Sequence, residues 1–66
     1  MFNYTYEMNL EYFAYKNNLD LAEDDIGELY IFVDKNNKTK QEVQKIIDDS
    51  EFDFKIEEFK TFYKVQ

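Results

Sequence analysis

The start of the chain alternates between apolar and polar residues. From Phe2 to Tyr12, every even position is aromatic or aliphatic, and every odd position between them is polar. A period of two predicts a β-strand over residues 2–12, with one face turned toward the core. A helical face also exists, formed by Tyr6, Leu10, Phe13 and Asn17. That face leaves several apolar residues of the alternating set unplaced, so the strand is favoured.

The alternation stops at residues 12–15, where Tyr-Phe-Ala-Tyr is apolar on both faces. Such a stretch indicates burial on both sides of the strand, or a β-bulge that re-aims it. The pair Asn17-Asn18 ends the element.

A short helix is predicted over residues 21–26. Asp20 is followed three residues later by Glu23, which resembles a capping box at a helix start. Gly27 suits the position just after a helix, where a positive φ angle costs little for glycine.

Residues 28–34 predict a strand because they are rich in β-branched and aromatic residues. One face would carry Leu29, Ile31 and Val33, and the other Tyr30 and Phe32. A polar turn follows at residues 34–38.

The clearest helix is predicted over residues 40–49. Thr39 and Glu42 form a capping box at its start. Its apolar stripe consists of Val43, Ile46 and Ile47.

Residues 52–65 allow two interpretations. Phe52, Phe54 and Ile56 alternate with polar residues, and the alternation resumes after 57–58, which predicts a strand with a break there. The alternative is a helix with a face of Phe52, Ile56, Phe59 and Tyr63. The strand is favoured because the helical face leaves Phe54 out.

These elements predict one domain over residues 1–66, in the order β, short α, β, α, β. The expected class is α+β, with a small three-stranded sheet, antiparallel or mixed, and one main helix packed on it. The chain has no Cys and no His, but it has seven Phe and six Tyr. Its stability must therefore come from burial of apolar and aromatic side chains rather than from disulfides or zinc.

The net charge of −7 is distributed unevenly. Residues 1–34 contain eight acids and one lysine, whereas residues 35–66 contain seven of each. Two acidic clusters contain no lysine. The first comprises Asp20, Glu23, Asp24, Asp25 and Glu28, and the second comprises Asp48, Asp49, Glu51 and Asp53. One-sided charge of this kind points to a basic partner surface.

Aromatic side chains beside these clusters are candidate anchors for a partner, because Tyr and Phe are enriched in the cores of interfaces. Tyr30 and Phe32 on the second face of their strand are predicted partner-binding residues. Phe13 and Tyr15 are further candidates. Burial in a core or in a homodimer contact is the alternative for each of them.

No catalytic residue, cofactor or metal site is predicted, and we expect the protein not to be an enzyme. Without His and Cys, the usual proton shuttles and thiol nucleophiles are absent, and capping explains Ser50. Residues 34–38 resemble the start of an EF-hand loop. However, Thr39 stands where the loop needs Gly, and Lys45 stands where it needs a bidentate Glu.

The sequence shows no signal peptide and no apolar run long enough to span a membrane, so a cytoplasmic location is expected. The negative charge opposes direct binding to nucleic acid and to anionic lipid surfaces.

In overall character the chain resembles the small acidic inhibitors made by bacteriophages and mobile elements, such as anti-CRISPR proteins, anti-restriction proteins and DNA mimics. The resemblance is carried by Glu23-Asp24-Asp25, by Asp48-Asp49-Ser50-Glu51, and by residue usage typical of AT-rich genes. It implies a stoichiometric inhibitor that binds a basic, nucleic-acid-binding host protein, such as a nuclease. The lysine-rich residues 35–45 and 55–64 restrict the acidic patch to one side.

Two other functions are consistent with the same residues. One is a small homodimerising structural or subunit protein, whose acids serve only solubility. The other is a weak binder of divalent cations, since Asp and Glu supply the oxygen ligands that Ca²⁺ and Mg²⁺ use.

Overall fold

The structure, a computed structural model, describes residues 6–66. Within that range, two helices and four strands follow one another: α1 (Tyr6–Asn17), β1 (Asp20–Glu23), β2 (Leu29–Asp34), α2 (Lys40–Asp48), β3 (Ile56–Glu58) and β4 (Phe62–Val65). The strands form one antiparallel sheet in the order β1-β2-β4-β3. The α+β class is therefore confirmed. The prediction of three strands and one main helix was wrong in detail, because a second helix and a fourth strand are present.

The strand predicted over residues 2–12 is instead helical from Tyr6 onward, and its first residues lie outside the described part of the chain. Leu10, Phe13 and Ala14 are buried, at a spacing of three and four residues that only a helix places on one face. Tyr6, Tyr12 and Tyr15 are exposed. Among the described members of the alternating set, Tyr6 and Tyr12 are exposed whereas Leu10 is buried, so the set does not share one face. Strong helix formers and the absence of β-branched residues between 6 and 17 explain the outcome.

Helix α1 ends where the sequence indicated, at Asn17-Asn18. Asn18 has a positive φ of 57°, and its N–H donates to the carbonyl of Tyr15 at 3.3 Å. The N–H of Leu19 donates to the carbonyl of Ala14 at 2.8 Å. This pair of bonds is the Schellman motif, which satisfies the last carbonyl groups of a helix. Leu19 then packs against the core and leads the chain into β1.

The short helix predicted over residues 21–26 was also wrong, because the segment forms β1 and a tight turn. A helix of six residues forms few intrahelical hydrogen bonds, and these do not offset the free-energy cost of helix nucleation. Pairing with β2 instead supplies hydrogen-bond partners for the backbone of this segment. Asp20 lies opposite Phe32 and Glu23 opposite Leu29. Gly27 does adopt a positive φ, 82°, but in a hairpin rather than after a helix.

Strand β2 and helix α2 are confirmed, together with the turn between them. The Thr39 hydroxyl accepts from the N–H of Glu42 at 3.2 Å, and the Glu42 carboxylate accepts from the N–H of Thr39 at 2.8 Å. Both bonds of the predicted capping box are therefore present. Val43 and Ile47 of the apolar stripe are buried.

The strand interpretation of the last segment is confirmed in part. The chain forms β3 and β4, which pair as a hairpin, so the break lies at residues 59–61 rather than at 57–58. The N–H of Phe59 donates to the carbonyl of Phe62 at 2.9 Å and closes the turn.

Both helices pack on the same face of the sheet. The buried residues of α1 and α2 join those on the inward face of the central strands in one core: Leu10, Phe13, Ala14, Ile31, Val33, Val43, Ile47, Phe54, Tyr63 and Val65. Rings of Phe13 and Phe54 meet edge to face, with centroids 5.2 Å apart. Among residues 6–66, neither helix has the length and apolar character needed to cross a bilayer.

Candidate partner-binding surface

The first acidic cluster lies on the hairpin formed by β1, the turn after it and the start of β2. Asp24 organises the turn, because its carboxylate accepts from the N–H of Ile26 at 3.1 Å and from that of Glu28 at 2.8 Å. Its carbonyl accepts from the N–H of Gly27 at 3.0 Å. A carboxylate that accepts hydrogen bonds from backbone N–H groups later in the chain competes with helix formation and favours a turn. Asp24 is therefore a structural residue of this cluster.

The turn presents an apolar side chain among carboxylates. Ile26 is 85% exposed at the tip of the hairpin, and Glu23, Asp25 and Glu28 beside it are exposed as well. The predicted short helix over residues 21–26 ended at Ile26, so the position of this residue at the tip of a hairpin was missed. The sequence did contain a signal for this turn, because two aspartates precede Ile26-Gly27 and both Asp and Gly favour turns.

Most carboxylates of the first cluster lack a lysine partner. Among the described residues, only Asp24 of this cluster has an ammonium group within 4 Å, that of Lys64 at 3.9 Å. Burial raises the pKa of Tyr6, and the nearby charge of Glu28 adds to that rise.

The second acidic cluster lies at the end of α2 and in the segment after it. Asp48 accepts from the side-chain amide of Gln44 at 3.0 Å, and Asp49 pairs with Lys45 at 3.3 Å. Glu51 and Asp53 are exposed in the following segment. Negative side chains at a helix C-terminus are unfavourable with the helix dipole, so solvent exposure is the stable arrangement for them.

A cleft of about 560 Å³ separates the end of α2 from the second half of α1. Its lining includes Asp49 and Glu51, but also Lys16 together with Phe13 and Phe52. The second cluster is thus mixed with lysines, unlike most of the first.

The structure does not link the two clusters directly. The first lies on an edge strand and its turn, and the second lies beside the two helices. No hydrogen bond or ion pair found within residues 6–66 joins a member of one to a member of the other. The hairpin therefore stands as a separate candidate surface.

Tyr30 and Phe32 lie on the outward face of the sheet, as predicted, whereas Phe13 is buried in the core and Tyr15 is 89% exposed on α1. The ammonium of Lys64 lies 5.0 Å from the ring centroid of Tyr30. The ring of Phe32 stacks on that of Phe62, with centroids 4.8 Å apart. These two predicted anchors therefore belong to a larger aromatic surface.

The segment that resembles an EF-hand start forms an ordinary turn. The Asp34 carboxylate accepts from the N–H of Asn36 at 2.8 Å, which ties it to the backbone. Over residues 6–66, no group of three or more Asp and Glu side chains is arranged to hold a metal ion.

Comparison with protein-family models, curated proteins and solved structures finds no match to this chain. Any function assigned to it therefore rests on its own residues.

Proposed function

We propose that this chain is an acidic protein-binding module that blocks the basic, nucleic-acid-binding surface of another protein. In its most specific form it is a phage-type stoichiometric inhibitor of a host protein such as a nuclease. The hairpin of residues 20–28 makes the main contact.

The observation that carries this proposal is the exposed tip of that hairpin. Ile26 is 85% exposed between Asp25 and Glu28, and over residues 6–66 neither of these two carboxylates has a lysine ammonium within 4 Å. A charge pattern kept only for solubility would mix both signs, as the end of α2 does. An apolar anchor surrounded by unpaired charge is the arrangement that a protein interface uses, because the charge steers the encounter and the anchor holds the complex.

Nucleic-acid-binding proteins are suitable targets because their grooves are lined with lysine and arginine. Duplex DNA presents one negative charge per about 1.7 Å of its axis. Asp25 and Glu28, on either side of the Ile26-Gly27 turn, offer carboxylates in place of phosphates. The turn is held by the backbone bonds to Asp24, so little conformational entropy is lost on binding.

The test begins with capture of partners by the tagged protein from bacterial lysates, washed at graded salt. Each captured protein is then purified and examined for binding to a fluorescent DNA duplex. We expect one of them to lose its DNA in proportion to added inhibitor. Capture of proteins that bind no nucleic acid, or that keep their DNA, would overturn the proposal.

A charge-reversal pair shows whether the hairpin makes the contact. Asp25→Lys with Glu28→Lys removes two carboxylates at the tip, and Glu7→Lys with Glu11→Lys makes the same charge change on α1. We expect the tip pair to slow association with the captured protein at least tenfold, and the α1 pair to slow it much less. Equal effects of the two pairs would show that only net charge matters and would exclude the hairpin as the contact.

A further inference from the structure

The outer edge of β1 carries backbone groups that have no strand beside them within residues 6–66. The hairpin is closed by a hydrogen bond in which the N–H of Asp24 donates to the carbonyl of Glu28 at 3.0 Å. In an antiparallel pair, residues that bond across to the partner strand alternate with residues that do not. Counting back from Asp24, Ala22 bonds toward β2, whereas the N–H and carbonyl groups of Leu21 and Glu23 point away from it. These groups are open to a further strand.

An exposed apolar side chain lies beside these backbone groups. Leu21 pairs with the buried Ile31 in the register, yet Leu21 is 40% exposed at the edge of the sheet. Ile26, at the tip of the same hairpin, is 85% exposed. The edge of β1 therefore continues the apolar surface of the tip. When an extended peptide adds to a sheet edge, backbone hydrogen bonds supply affinity and alternate side chains supply specificity.

Negative charge accompanies this edge on both faces of the sheet. The register directs Asp20 to the outward face and Glu23 to the face that carries the helices. Residues 17–34 contain no lysine. Lys38 lines a cavity of about 170 Å³ together with Asp20, but over residues 6–66 neither Asp20 nor Glu23 has a lysine ammonium within 4 Å. The edge strand thus offers two unpaired carboxylates to an added strand.

The opposite edge of the sheet differs in length and in charge. Strand β3 has three residues, Ile56–Glu58. Its Glu58 carboxylate already accepts from the ammonium of Lys35 at 2.7 Å. Lys55 and Lys60 stand just before and just after the strand. Charges of both signs therefore meet at β3, and they select no particular strand.

The outward face of the sheet is also mixed in charge. Its rings stack in a row in which Phe62 contacts both Phe32 and Phe59, with centroids 4.8 Å apart in each pair. The register places Lys64 between Phe32 and Glu57 on this face. The charge that accompanies the open β1 edge is negative only, which distinguishes this edge from both other surfaces.

Hydrogen bonding and charge together decide which occupant suits the β1 edge. A second copy would place beside it a strand that also carries Asp20 and Glu23 and no lysine, and like charges on neighbouring strands are unfavourable. A nucleic acid has no peptide groups to extend the ladder, and its phosphates would meet the same carboxylates. An extended polypeptide with basic side chains satisfies both the backbone groups and the carboxylates.

We propose that the outer edge of β1 binds an extended, lysine- or arginine-bearing segment of the partner protein as an additional strand of the sheet. Peptide groups of that segment pair with Leu21 and Glu23, and its basic side chains lie beside Asp20 and Glu23. The inference rests on the proposed function, since the segment belongs to the same basic protein. It names the way in which the hairpin holds that partner.

The test uses a nine-residue peptide of alternating lysine and valine as the probe. A matched peptide, N-methylated at every internal residue, keeps the charge but has no N–H donors there. We expect the first peptide to slow hydrogen exchange of the Leu21 and Glu23 amides about fivefold or more, because a bonded amide exchanges only when its bond opens. The methylated peptide should not slow it. A peptide of alternating glutamate and valine should not slow it either.

Variants at position 21 test the contribution of the backbone. Proline is tolerated on an edge strand where the missing N–H faces outward, so Leu21→Pro should retain the fold and weaken binding of the lysine peptide about tenfold or more. Leu21→Ala keeps the N–H and should weaken binding much less. The comparison with the methylated peptide uses the unmodified protein, so the proposal stays testable if Leu21→Pro does not fold.

Charge variants separate the edge from general attraction between an acidic protein and a basic peptide. Asp20→Lys with Glu23→Lys should weaken the peptide complex more than Glu7→Lys with Glu11→Lys, which changes the net charge equally on α1. Equal effects of the two pairs would overturn the inference.

Three further outcomes would overturn it. The first is equal protection of the two amides by the methylated or the glutamate peptide. The second is protection confined to α1 or to β3. The third is slowing of the Leu21 and Glu23 amides with rising protein concentration in the absence of peptide, which would identify a second copy as the occupant.

The captured protein distinguishes failure of this inference from failure of the proposed function. If it loses its DNA equally to the unmodified protein and to a folded Leu21→Pro variant, the proposed function stands and strand addition is excluded. If it keeps its DNA while the lysine peptide protects Leu21 and Glu23 as described, the proposed function fails and the strand-binding edge stands.

Discussion

Thr39 is the residue whose local role is best defined by both sequence and structure. Its hydroxyl caps α2, and its N–H donates to the Glu42 carboxylate, which completes the capping box. We expect Thr39→Ala to lower the free energy of unfolding by about 1 kcal/mol, because the N–H of Glu42 loses its acceptor. Urea denaturation measures the change. Thr61→Ala, which removes an exposed threonine from a turn, serves as the control and should stay within about 0.5 kcal/mol of the unmodified protein.

Glu42 makes the stability of α2 depend on pH. Hydrogen bonds from the backbone and side chain of Thr39 hold the pKa of Glu42 below its usual range. A pKa that is lower in the folded state contributes stability that is present above the unfolded value, about 4.3, and is lost as pH falls through the folded value. Glu58 behaves alike, because a hydrogen bond from Lys35 and its charge lower the pKa of that carboxyl.

Glu42→Gln tests this dependence, because glutamine keeps an oxygen acceptor but does not titrate. We expect its free energy of unfolding to fall less steeply than that of the unmodified protein between about pH 5 and pH 3. Denaturant titrations at a series of pH values supply the comparison. Glu57→Gln serves as the control, because it removes an exposed carboxylate that accepts no side-chain hydrogen bond within residues 6–66. If the unmodified protein and both variants give parallel curves, protonation of Glu42 does not change the free energy of unfolding.

Among the elements, α1 is the one in which sequence and structure disagree most. As a strand, it would place Phe13 and Tyr15 on one face. As a helix, it buries Phe13 and leaves Tyr15 exposed. We expect Phe13→Ala to cost about 3–5 kcal/mol, which equals what a core of this size supplies, so the variant should be unfolded at 25 °C. Tyr15→Ala should remain folded with a nearly unchanged melting temperature. Far-ultraviolet circular dichroism during heating distinguishes the two, and similar losses in both would contradict the helix.

The β1–β2 hairpin depends on the backbone conformation of Gly27. A Cβ there would meet the Glu23 carboxylate only at 3.7 Å, so space is available, but the φ of 82° is unfavourable for a residue with a side chain. We expect Gly27→Ala to cost about 1 kcal/mol and Gly27→Asn clearly less, because asparagine tolerates this region. Thermal denaturation of both variants gives the order. If the alanine variant is as stable as the asparagine variant, the turn adopts another backbone conformation and the positive φ at position 27 is not required.

Local patterns predicted the elements whose partners are close in sequence. The capping box at Thr39, the β-branched run of β2 and the positive φ of Gly27 each follow from a few neighbouring residues. The type of α1 could not be obtained in this way, because the exposed Tyr6 and Tyr12 stand at even spacing from the buried Leu10 and so extend an apparent strand face. The identity of β1 depends on pairing with β2, which no pattern within residues 20–23 reveals.

The candidate site was predictable in composition but not in arrangement. The first acidic cluster and the outward positions of Tyr30 and Phe32 follow from the sequence. The exposed tip at Ile26 and the stacked row at Phe59 do not, because both depend on where the chain reverses. Pairing between strands determines where the turns lie, so the positions of the turns could not be predicted from the sequence alone.

At the scale of the whole molecule, exposed aromatic surface favours self-association and the net charge opposes it. The outward face offers phenylalanine rings, but the net charge of −7 keeps copies apart. We expect a monomer of 8.1 kDa at both 50 mM and 500 mM salt at neutral pH. Sedimentation velocity at two protein concentrations tests this. A dimer at both salt concentrations would favour a homodimeric structural role over inhibition.

The open edge of the sheet gives the acids Asp20 and Glu23 a protective role. They stand at the two ends of β1, which has no neighbouring strand on its outer side among the strands of residues 6–66. Charged side chains on such an edge deter addition of another strand of like charge. Near the isoelectric point of about 4.3 the chain carries no net charge, so copies of a chain in which 20% of residues are aromatic no longer repel one another. Mild acid should therefore convert the protein into thioflavin-binding fibrils, which places a lower pH limit on its storage and purification.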